Sequence, residues 1–452
     1  MCGFLGAFHA SGNKWSNPDI LRFRNAFMRL SHRGNSGAGE RTDFKGGALF
    51  HHRLAFRDLT EGRQPLTDSL GRATIIYNGE LYGFRTLRKK LSTHFDFRTQ
   101  SDTEVLLAAY LEFGPNLLSQ IDGEYAFVIL DHQTGKIIAA RDPFGVKPIF
   151  WSSSRIQSDP PLRAFSDRYE ISLGETLYFA SEMKGLPVEI KWDSRGLDRL
   201  FLSLYEEMGT SFQNIFALAP GALMIAEREG GTWKAHIERK VRLRRSAPRL
   251  EWKGNFEEKS RELRAILRVA VQSKLDSDVP LGAYLSGGID SRIAAFEMGR
   301  IGARIETFTV GFESPDYDET ADVQKFLTAY PNLHGRSLRL TDKSLEYSYP
   351  HAVYASELVQ PYTNGAAKWW LSRFARRYVR GVLTGDGADE LFCGYPSYRY
   401  LAWWNFYRRN PTTARATLFS ERMGIAKDKP WEKGLSPRPD GGDLIESEKQ
   451  LG

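Results

Sequence analysis

The second residue of the chain is a cysteine that could act as a nucleophile. Cys2 follows the initiator Met1 and precedes the small Gly3, so removal of Met1 is expected to leave Cys2 at the N-terminus. Its thiol would then lie beside its own α-amino group, whose usual pKa of about 7.7–8.0 lets it accept the thiol proton without a histidine. Taken alone, Cys2 decides little, because a cysteine at this position is more often incidental than catalytic.

Three further groups supply what hydrolysis of a glutamine side chain requires: a cation for the α-carboxylate, an anion for the α-ammonium group, and donors for the tetrahedral oxyanion. Arg53 in HHRLAF is the candidate cation, since a guanidinium binds a carboxylate in a bidentate manner. Asp102 in QSDTE is the candidate anion, and Asn78 with Gly79 in YNGE could donate to the oxyanion from a tight turn. The structural alternatives are a surface ion pair, a helix N-cap and a hairpin turn, respectively.

A second candidate site follows an apolar strand in the other half of the chain. Residues Ser286–Ser291 (SGGIDS) come directly after VPLGAYL and open a predicted helix, so their N–H groups and hydroxyls could hold a pyrophosphate. Asp290 could bind Mg²⁺. The loop lacks the Gly-Lys-Ser/Thr of a Walker A motif and the spacing of a dinucleotide fingerprint, which argues against a kinase or a dehydrogenase.

The motifs of residues 1–187 resemble, in order and approximate spacing, those of the class II, N-terminal-nucleophile glutamine amidotransferases: MCGFLGAF, SHRGNSGAGE, HHRLAFRDL, QPL, IIYNGELYG, SDTEVLLAAY, IDGEYAFVILD and RDPFGVKPIFW. The resemblance implies an Ntn-hydrolase-like glutaminase domain of two packed antiparallel sheets flanked by helices. It implies Cys2 as the nucleophile and Asn78 with Gly79 as the oxyanion hole. The glutamine-binding residues would be Arg53, Asn78, Gly79, Glu80 and Asp102.

SGGIDS, together with LTGDGADELFCGY further along, resembles the ATP-pyrophosphatase domain of the asparagine synthetases and β-lactam synthetases. By that resemblance Asp290 and Asp389 would bind Mg²⁺, and Asp386 would support adenylation of the acceptor. The residues that would contact ATP are Leu285, Ser286, Gly287, Gly288, Asp290, Ser291, Val310, Thr384 and Gly385. The structural alternative for GDGADE is a calcium-like loop or a helix cap, although it lacks the alternating acidic ligands of an EF-hand.

The combination of these two motif sets resembles the asparagine synthetase group, and this resemblance implies a reaction in three steps. ATP adenylates a carboxylate at the second site, and ammonia released at Cys2 passes through the protein. The ammonia displaces AMP and leaves an amide. The acceptor need not be aspartate, because Gln360-Pro361-Tyr362 stands where relatives often have Glu-Pro-Phe.

The elements that must position these residues change in character near residue 255. Short strands with alternating apolar residues and turn signals predict an α+β first domain at 1–187, followed by a connecting segment at 188–254. A strand, a Gly-rich turn, a helix and a second strand predict an α/β parallel-sheet domain at 255–452. The predicted strands are Ala48–Leu54, Ala73–Tyr77, Tyr125–Asp131, Lys136–Arg141, Thr176–Ala180, Pro280–Leu285 and Thr307–Phe312. The predicted helices are Pro18–Leu30, Leu81–Leu91, Asp102–Phe113, Gly196–Glu207 and Phe256–Lys274.

Composition sets the remaining expectations. At 452 residues, with 41% hydrophobic and 26% charged residues, the chain is expected to form two soluble domains. Two cysteines, Cys2 and Cys393, indicate a reducing compartment and predict a cytoplasmic protein. The net charge of +7 is spread out, and its densest run, Arg239–Arg249, is interpreted as a solvated connector. Small molecules are the expected partners, with neither nucleic acid nor membrane.

Several alternatives stay open at this stage. The second domain is expected to be short at its C-terminus, without the Arg-Val-Pro-like motif and the lysine that the family usually carries. A homodimer is one possibility, and a complementing synthetase subunit or a residue such as Lys368 could supply the missing role. The chain could also be an amide- or lactam-forming ligase with a vestigial glutaminase, or a non-catalytic partner of a complete synthetase.

Overall fold

Antiparallel strands dominate the first half of the chain in the computed structural model, which describes residues 1–156, 168–201, 208–241, 254–302, 304–358, 364–398 and 401. The described strands of this half are β1 (Gly3–His9), β2 (Ala38–Arg41), β3 (Gly47–His52), β4 (Leu66–Thr67), β5 (Ala73–Tyr82), β6 (Asp122–Asp131), β7 (Ile137–Arg141), β8 (Phe150–Ser153), β9 (Arg168–Leu173), β10 (Thr176–Ala180), β11 (Phe216–Ala217), β12 (Ala222–Glu229) and β13 (Thr232–Arg239). Its described helices are α1 (Asn17–Met28), α2 (Phe84–Leu91), α3 (Asp102–Phe113) and α4 (Ser194–Phe201).

These strands form two sheets that enclose a common core. One sheet has the order β11-β8-β10-β1-β3-β2, and the other has the order β4-β5-β6-β7-β12-β13-β9. Side chains alternate between the two faces of a strand, so each strand contributes to two layers. Phe4 and Phe8 of β1 share an apolar cluster with Ile76 of β5, which places these residues between the sheets.

The outer face of each sheet is covered by helices. Leu5 of β1 belongs to a cluster with Phe23 of α1, and Ile75 of β5 belongs to a cluster with Leu106 of α3. The layers therefore run helix, sheet, sheet, helix. This arrangement confirms the predicted α+β sandwich.

The segment predicted to be a connector contributes strands to these sheets. Leu223 of β12 pairs with Ala140 of β7, and Trp233 of β13 pairs with Leu173 of β9. The helix predicted at Gly196–Glu207 is observed as α4 from Ser194, and its last residues lie outside the described part of the chain. Most of the basic run at 239–249 also lies outside it.

Parallel pairing defines the second half. Its described strands are β14 (Leu281–Tyr284), β15 (Ile305–Phe312), β16 (Leu333–Leu340) and β17 (Gly381–Leu383), in the order β16-β15-β14-β17. Its described helices are α5 (Phe256–Lys274), α6 (Ile289–Ile301), α7 (Thr320–Ala329), α8 (Asp342–Ser356), α9 (Asn364–Ala375) and α10 (Ala388–Phe392). All three pairings are parallel, which confirms the predicted α/β class.

Helices pack against this sheet. Val271 of α5 and Met298 of α6 share a cluster with Ala283 of β14, and Ala375 of α9 shares another with Phe308 of β15. Helix α5 begins where predicted because Asn255 and Glu258 form a capping box. The predicted Asp102–Phe113 and Thr176–Ala180 also match the observed bounds.

One prediction about local structure is wrong. Asn78 and Gly79 were expected in a tight turn, but they lie inside β5 and pair with Ala126 and Tyr125 of β6. The ladder between β5 and β6 continues to Tyr82, so long-range pairing outweighs the local turn signal of Asn-Gly. A side chain at Gly79 would collide with the Glu124 carbonyl oxygen, which explains the glycine without a turn.

The chain divides into two compact units. The first contains both antiparallel sheets and the parallel sheet, in residues Met1–Gly287 and Ala295–Leu383. The second contains Gly288–Ala294 and the described residues from Thr384 onward. Within the described residues, no helix combines the length and apolar character needed to cross a bilayer.

Candidate active site

Cys2 lies immediately before β1, where the pairing of β1 with β3 fixes its surroundings. The Leu54 N–H donates to the Cys2 Sγ over 3.3 Å, just beyond the end of β3. The Cys2 carbonyl accepts a hydrogen bond of 2.8 Å from Arg33 Nε, and Arg33 Nη1 donates to Glu182 over 2.6 Å. The thiol is partly buried and is held by the backbone of a neighbouring strand.

The terminal amino group next to Cys2 has an unusual environment. Burial lowers the pKa of the Met1 α-amino group from 8.0 to about 5, an effect that Cys2 opposes and Arg33 reinforces. An amine with this pKa is uncharged at neutral pH and can accept a proton. In the chain without Met1, the α-amino group of Cys2 would be the one that has to accept the thiol proton.

Arg53 is buried, with 8% of its surface exposed, so the surface ion pair is not its role. Its guanidinium donates to the carbonyl oxygens of Arg57 (2.9 Å), Leu59 (3.3 Å) and Asp58. Burial lowers the pKa of Arg53, although nearby Cys2, Asp58 and Asp102 oppose the effect. The loop at 57–59 therefore holds this cation at the cavity wall by its carbonyl groups.

The two acidic residues of the predicted glutamine site are Asp102, which begins α3, and Glu80, which lies in β5. Asp102 accepts from the Leu81 N–H (3.0 Å) and the Tyr77 hydroxyl (3.1 Å), while Ser101 supplies the N-cap of α3. Burial raises the pKa of Asp102 despite those donors. Burial and the nearby Asp102 also raise the pKa of Glu80, which Arg57 opposes by donating over 3.1 Å.

The Asn78 side chain is buried and retains an unused donor. Asn78 is 1% exposed, and among the described residues its Nδ2 has no hydrogen-bond partner. Strand alternation places it on the same face of β5 as Ile76, which belongs to the core between the sheets. A buried amide without a partner costs free energy unless a ligand or a reaction intermediate uses it.

These groups surround one cavity of about 320 Å³, which includes its open mouth. The lining residues are Cys2, Arg53, Leu54, Ala55, Phe56, Arg57, Gly62, Gln64, Tyr77, Gly79, Glu80, Ser101, Asp102 and Thr103. The structure thus brings together five of the six predicted glutamine-site residues, and the sixth, Asn78, is the strand neighbour of two lining residues.

Arg57 is a residue of this site that sequence reasoning missed. It is 6% exposed, it donates to Glu80, and its guanidinium carbon lies 4.6 Å from the centre of the Phe84 ring. It lies within HHRLAFRDL, but the resemblance implied no role for it. The available signal was a second arginine in that motif, after Arg53.

The first unit holds part of the predicted nucleotide motif at the carboxyl edge of the parallel sheet. Leu285 follows β14, its N–H donates to the Phe308 carbonyl (2.9 Å), and its own carbonyl accepts from Thr309 Oγ1 (2.8 Å). The Gly287 N–H donates to Glu319 over 2.7 Å. Ser286 lies between these residues, and Val310 lies in the adjacent β15.

The second unit holds the remaining motif residues, which include Gly288 and the start of α6. Burial, and then the charge of Asp389, raise the pKa of Asp290. A side chain on Gly385 would meet the Asp290 Cβ and the Ser291 N at 2.8 Å each, so Gly385 permits this close approach. The Asp386 N–H donates to Thr384 Oγ1 over 3.3 Å.

Carboxylate oxygens of this kind suit Mg²⁺, which usually binds one or two carboxylates together with phosphate oxygens. No group of three or more His, Cys, Asp or Glu side chains is placed to hold a metal ion in the described part of the chain. Asp290 and Asp389 supply two carboxylates, which is the donor chemistry that such a site uses.

Two family models match the chain. The first, described as a glutamine amidotransferase domain, covers residues 1–237, and the second, described as asparagine synthase, covers residues 262–438. The first match extends beyond residue 187 to include β11, β12 and most of β13. This agrees with the pairing of β12 and β13 in the larger antiparallel sheet.

Curated relatives carry names of the same kind. The glutamine-hydrolyzing asparagine synthetase 1 of Bacillus subtilis is 30% identical over 416 residues, which are 88% of this chain and 60% of that protein. A Methanocaldococcus jannaschii protein, provisionally named as glutamine-hydrolyzing asparagine synthetase 2, is 29% identical over 95% of this chain and 82% of its own length. The amidase chyE of Penicillium rubens is 29% identical over 88% and 60%, respectively. The chain thus spans about 60% of the B. subtilis protein.

A solved structure, titled as the allosteric regulatory enzyme of purine biosynthesis, matches at 16% identity and a TM-score of 0.36, over 74% of this chain and 80% of that one.

Proposed function

Because the chain belongs to the family of glutamine amidotransferase domains, we propose that it hydrolyses glutamine at Cys2 and transfers the ammonia to a carboxylate that ATP has activated. The observation that carries this proposal is the cavity in which Cys2, Arg53, Glu80 and Asp102 meet. One cavity thus contains a nucleophile, a cation that could bind the glutamine carboxylate, and two carboxyl groups that could bind its ammonium group.

The glutaminase reaction follows from these groups. Arg53 binds the α-carboxylate of glutamine, and Asp102 with Glu80 binds its α-ammonium group. After Met1 is removed, the Cys2 amine takes the proton of the thiol, and the Sγ attacks the side-chain amide carbon. Asn78 Nδ2 and the Gly79 N–H stabilise the oxyanion.

The tetrahedral intermediate then collapses to a thioester and ammonia. The carbon–nitrogen bond breaks, the amine returns its proton to the leaving nitrogen, and ammonia departs. Water then attacks the thioester that remains on Cys2, which releases glutamate and restores the thiol. No further residue is needed as a base, since the terminal amine serves in both halves of the reaction.

The second half of the proposal concerns the acceptor. The residues proposed to contact ATP are Leu285, Ser286, Gly287, Gly288, Asp290, Ser291, Val310, Thr384 and Gly385. Asp290 and Asp389 would bind Mg²⁺, whose charge would neutralise phosphate oxygens, and Asp386 would orient the acceptor carboxylate for adenylation. Ammonia then displaces AMP, and the products are an amide, AMP and pyrophosphate.

The experiment supplies the protein with ATP, Mg²⁺ and a panel of carboxylic acids, with either glutamine or ammonium chloride as the nitrogen donor, and measures glutamate and pyrophosphate. We expect the wild-type protein to release glutamate from glutamine. Cys2→Ala should lose glutamate release and retain pyrophosphate release with ammonium chloride. N-terminal mass spectrometry should show that Met1 is absent.

The outcomes separate the proposal from its alternatives. Glutamate release that Cys2→Ala does not change would refute the role of Cys2. Pyrophosphate release with ammonium but never with glutamine would identify a ligase with a vestigial glutaminase. Both cysteines are free, which fits a reducing compartment, and we propose the cytoplasm.

A further inference from the structure

A short segment of the synthase half contacts the wall of the glutamine cavity. Residues 274–278 comprise the last residue of α5 and the first part of its connection to β14, and they lie in the same unit as the antiparallel sheets. We call these five residues the strap. Four of them, Lys274, Asp276, Ser277 and Asp278, contact residues of the first domain.

Asp278 makes two hydrogen bonds with the loop that holds Arg53. Its carboxylate accepts from the Asp58 N–H over 2.8 Å, and its own N–H donates to the Phe56 carbonyl over 2.9 Å. Ser277 Oγ donates to the same carbonyl over 3.3 Å. The strap therefore binds the loop on both sides of Arg57.

The conformation of Asp58 shows why this contact matters. Asp58 has φ of +47°, in the left-handed region that a non-glycine residue rarely adopts without support. Its carbonyl accepts a hydrogen bond from Arg53, as do the carbonyls of Arg57 and Leu59. Asp278 thus fixes the residue whose carbonyl orients the cation proposed to bind the glutamine carboxylate.

Asp276 makes a second connection through Arg57. Its carboxylate lies 3.0 Å from Arg57 Nη1, and Arg57 Nε donates to Glu80 over 3.1 Å. The contact between Arg57 and Asp276 is an ion pair in which the arginine side chain is buried. Burial would lower the pKa of Arg57, but Glu80 and Asp276 together raise it.

We propose that the strap, through Asp278 and Asp276, is a positioning element of the glutamine site, which depends on the synthase half for its binding geometry. The inference rests on the proposed glutaminase function and adds residues that no motif of the first domain contains. Asp276 and Asp278 are positioning residues, because they act through Arg57 and Asp58 and do not line the cavity.

The expected effect has a kinetic signature. A glutamine carboxylate is bound in both the ground state and the transition state, so poorer orientation of Arg53 raises KM and leaves kcat nearly unchanged. Loss of one supporting hydrogen bond corresponds to a rise in KM of about 3- to 10-fold. General unfolding would instead lower kcat, because fewer molecules would be active, and would leave KM unchanged.

The test measures glutamate release by the full chain as a function of glutamine concentration in four variants. Asp278→Ala and Asp276→Asn should raise KM for glutamine, whereas Asp278→Asn should restore most of the affinity because its amide oxygen still accepts from the Asp58 N–H. The matched control is Arg85→Gln, which removes the exposed partner of Asp276, 3.3 Å away, and leaves Arg57 in place. Its KM should equal the wild-type value.

Each outcome has a defined meaning. An unchanged KM in Asp278→Ala, or a lower kcat at constant KM, overturns the role of the strap while the glutaminase function stands. An equal rise of KM in Asp278→Asn and Asp278→Ala also overturns it, because the acceptor oxygen would then be irrelevant. If the wild-type protein releases no glutamate, the proposed function fails and the role of the strap fails with it.

Discussion

Replacement of Asn78 by leucine distinguishes the effect of its buried amide on the stability of the fold from the proposed effect of that amide on glutamine hydrolysis. The two side chains have similar shapes, and Asn78 is 1% exposed, so Asn78→Leu keeps the packing of β5 and removes only the amide. Its Nδ2 makes no hydrogen bond to any described residue. We therefore expect activity to fall without a matching loss of stability.

The expected changes in kcat and in the free energy of unfolding both follow from the missing partner of Asn78 Nδ2. Loss of one oxyanion donor lowers kcat by roughly 10²- to 10³-fold, or about 2.7–4 kcal/mol of transition-state stabilisation. An unpaired buried polar group costs about 1–3 kcal/mol, and the leucine does not incur that cost. The free energy of unfolding of Asn78→Leu should therefore equal or exceed that of the wild-type protein.

Thr74→Val is the matched control in the same strand. Thr74 is fully buried, and its Oγ1 lies 2.8 Å from both Thr67 Oγ1 and His132 Nε2. Its removal should lower the free energy of unfolding by about 1 kcal/mol and leave kcat unchanged. The assays are glutamate release and urea denaturation. A kcat for Asn78→Leu near the wild-type value, or a clear loss of stability, would refute the reasoning.

Three other predictions test separate parts of the molecule. Burial lowers the pKa of the Met1 amine, and we expect the same burial to lower the pKa of the Cys2 amine that is exposed when Met1 is removed. The kcat/KM for glutamine should therefore stay level from pH 8 to about pH 6, and an acid limb near the usual amine pKa of about 8 would contradict this. Burial raises the pKa of Glu182, but His32, Arg33 and Lys184 outweigh it and lower the pKa from 4.5 to about 2. This depressed pKa stabilises the fold above about pH 4.5 and the contribution is lost toward pH 2, so Glu182→Gln should cost up to about 3 kcal/mol in urea denaturation at pH 7 and much less near pH 3. Gly385→Ala should abolish pyrophosphate release and preserve glutamate release, since its Cβ would press on Asp290 at 2.8 Å; equal pyrophosphate release would refute the close approach.

Secondary-structure elements whose signals lie within their own sequence were predicted correctly. Helix α5 was predicted with its observed bounds from its amphipathic spacing, and in the structure Asn255 and Glu258 cap its first turn. The pairing of β12 with β7 was not predicted, because Ala140 is far away in sequence from its partner Leu223. The Asn78-Gly79 turn was mispredicted for the same reason, since only the presence of β6 shows that the strand continues.

The residues proposed to bind glutamine could be selected by type from the sequence, whereas the residues that hold them in place could not. Arg53 and Asp102 stand in motifs that a reader can match to a carboxylate and an ammonium group. Arg57 stands in HHRLAFRDL without a role of its own, and Asp278 stands in no motif. The two residues are far apart in sequence, as are Phe56 and Ser277, whose contact spans 221 positions. Their roles follow only from the folded contacts, because a positioning residue is defined by what it touches.

The direction of the parallel strands explains why the strap lies where it does. Asp278 precedes β14, and its N–H meets the Phe56 carbonyl, so the amino end of this strand abuts the loop of the glutamine cavity. Gly381 begins β17 and lies against the Phe56 ring, so a second strand has the same orientation. Leu285 and Ser286 follow the other end of β14, about 13 Å away for a four-residue strand. Under the proposed function, ammonia released at Cys2 would therefore travel at least the length of the sheet to reach a nucleotide bound at its carboxyl edge. A substitution in the strap acts at the amino edge alone, so it should alter glutamine-dependent amide formation and spare the ammonium-dependent reaction.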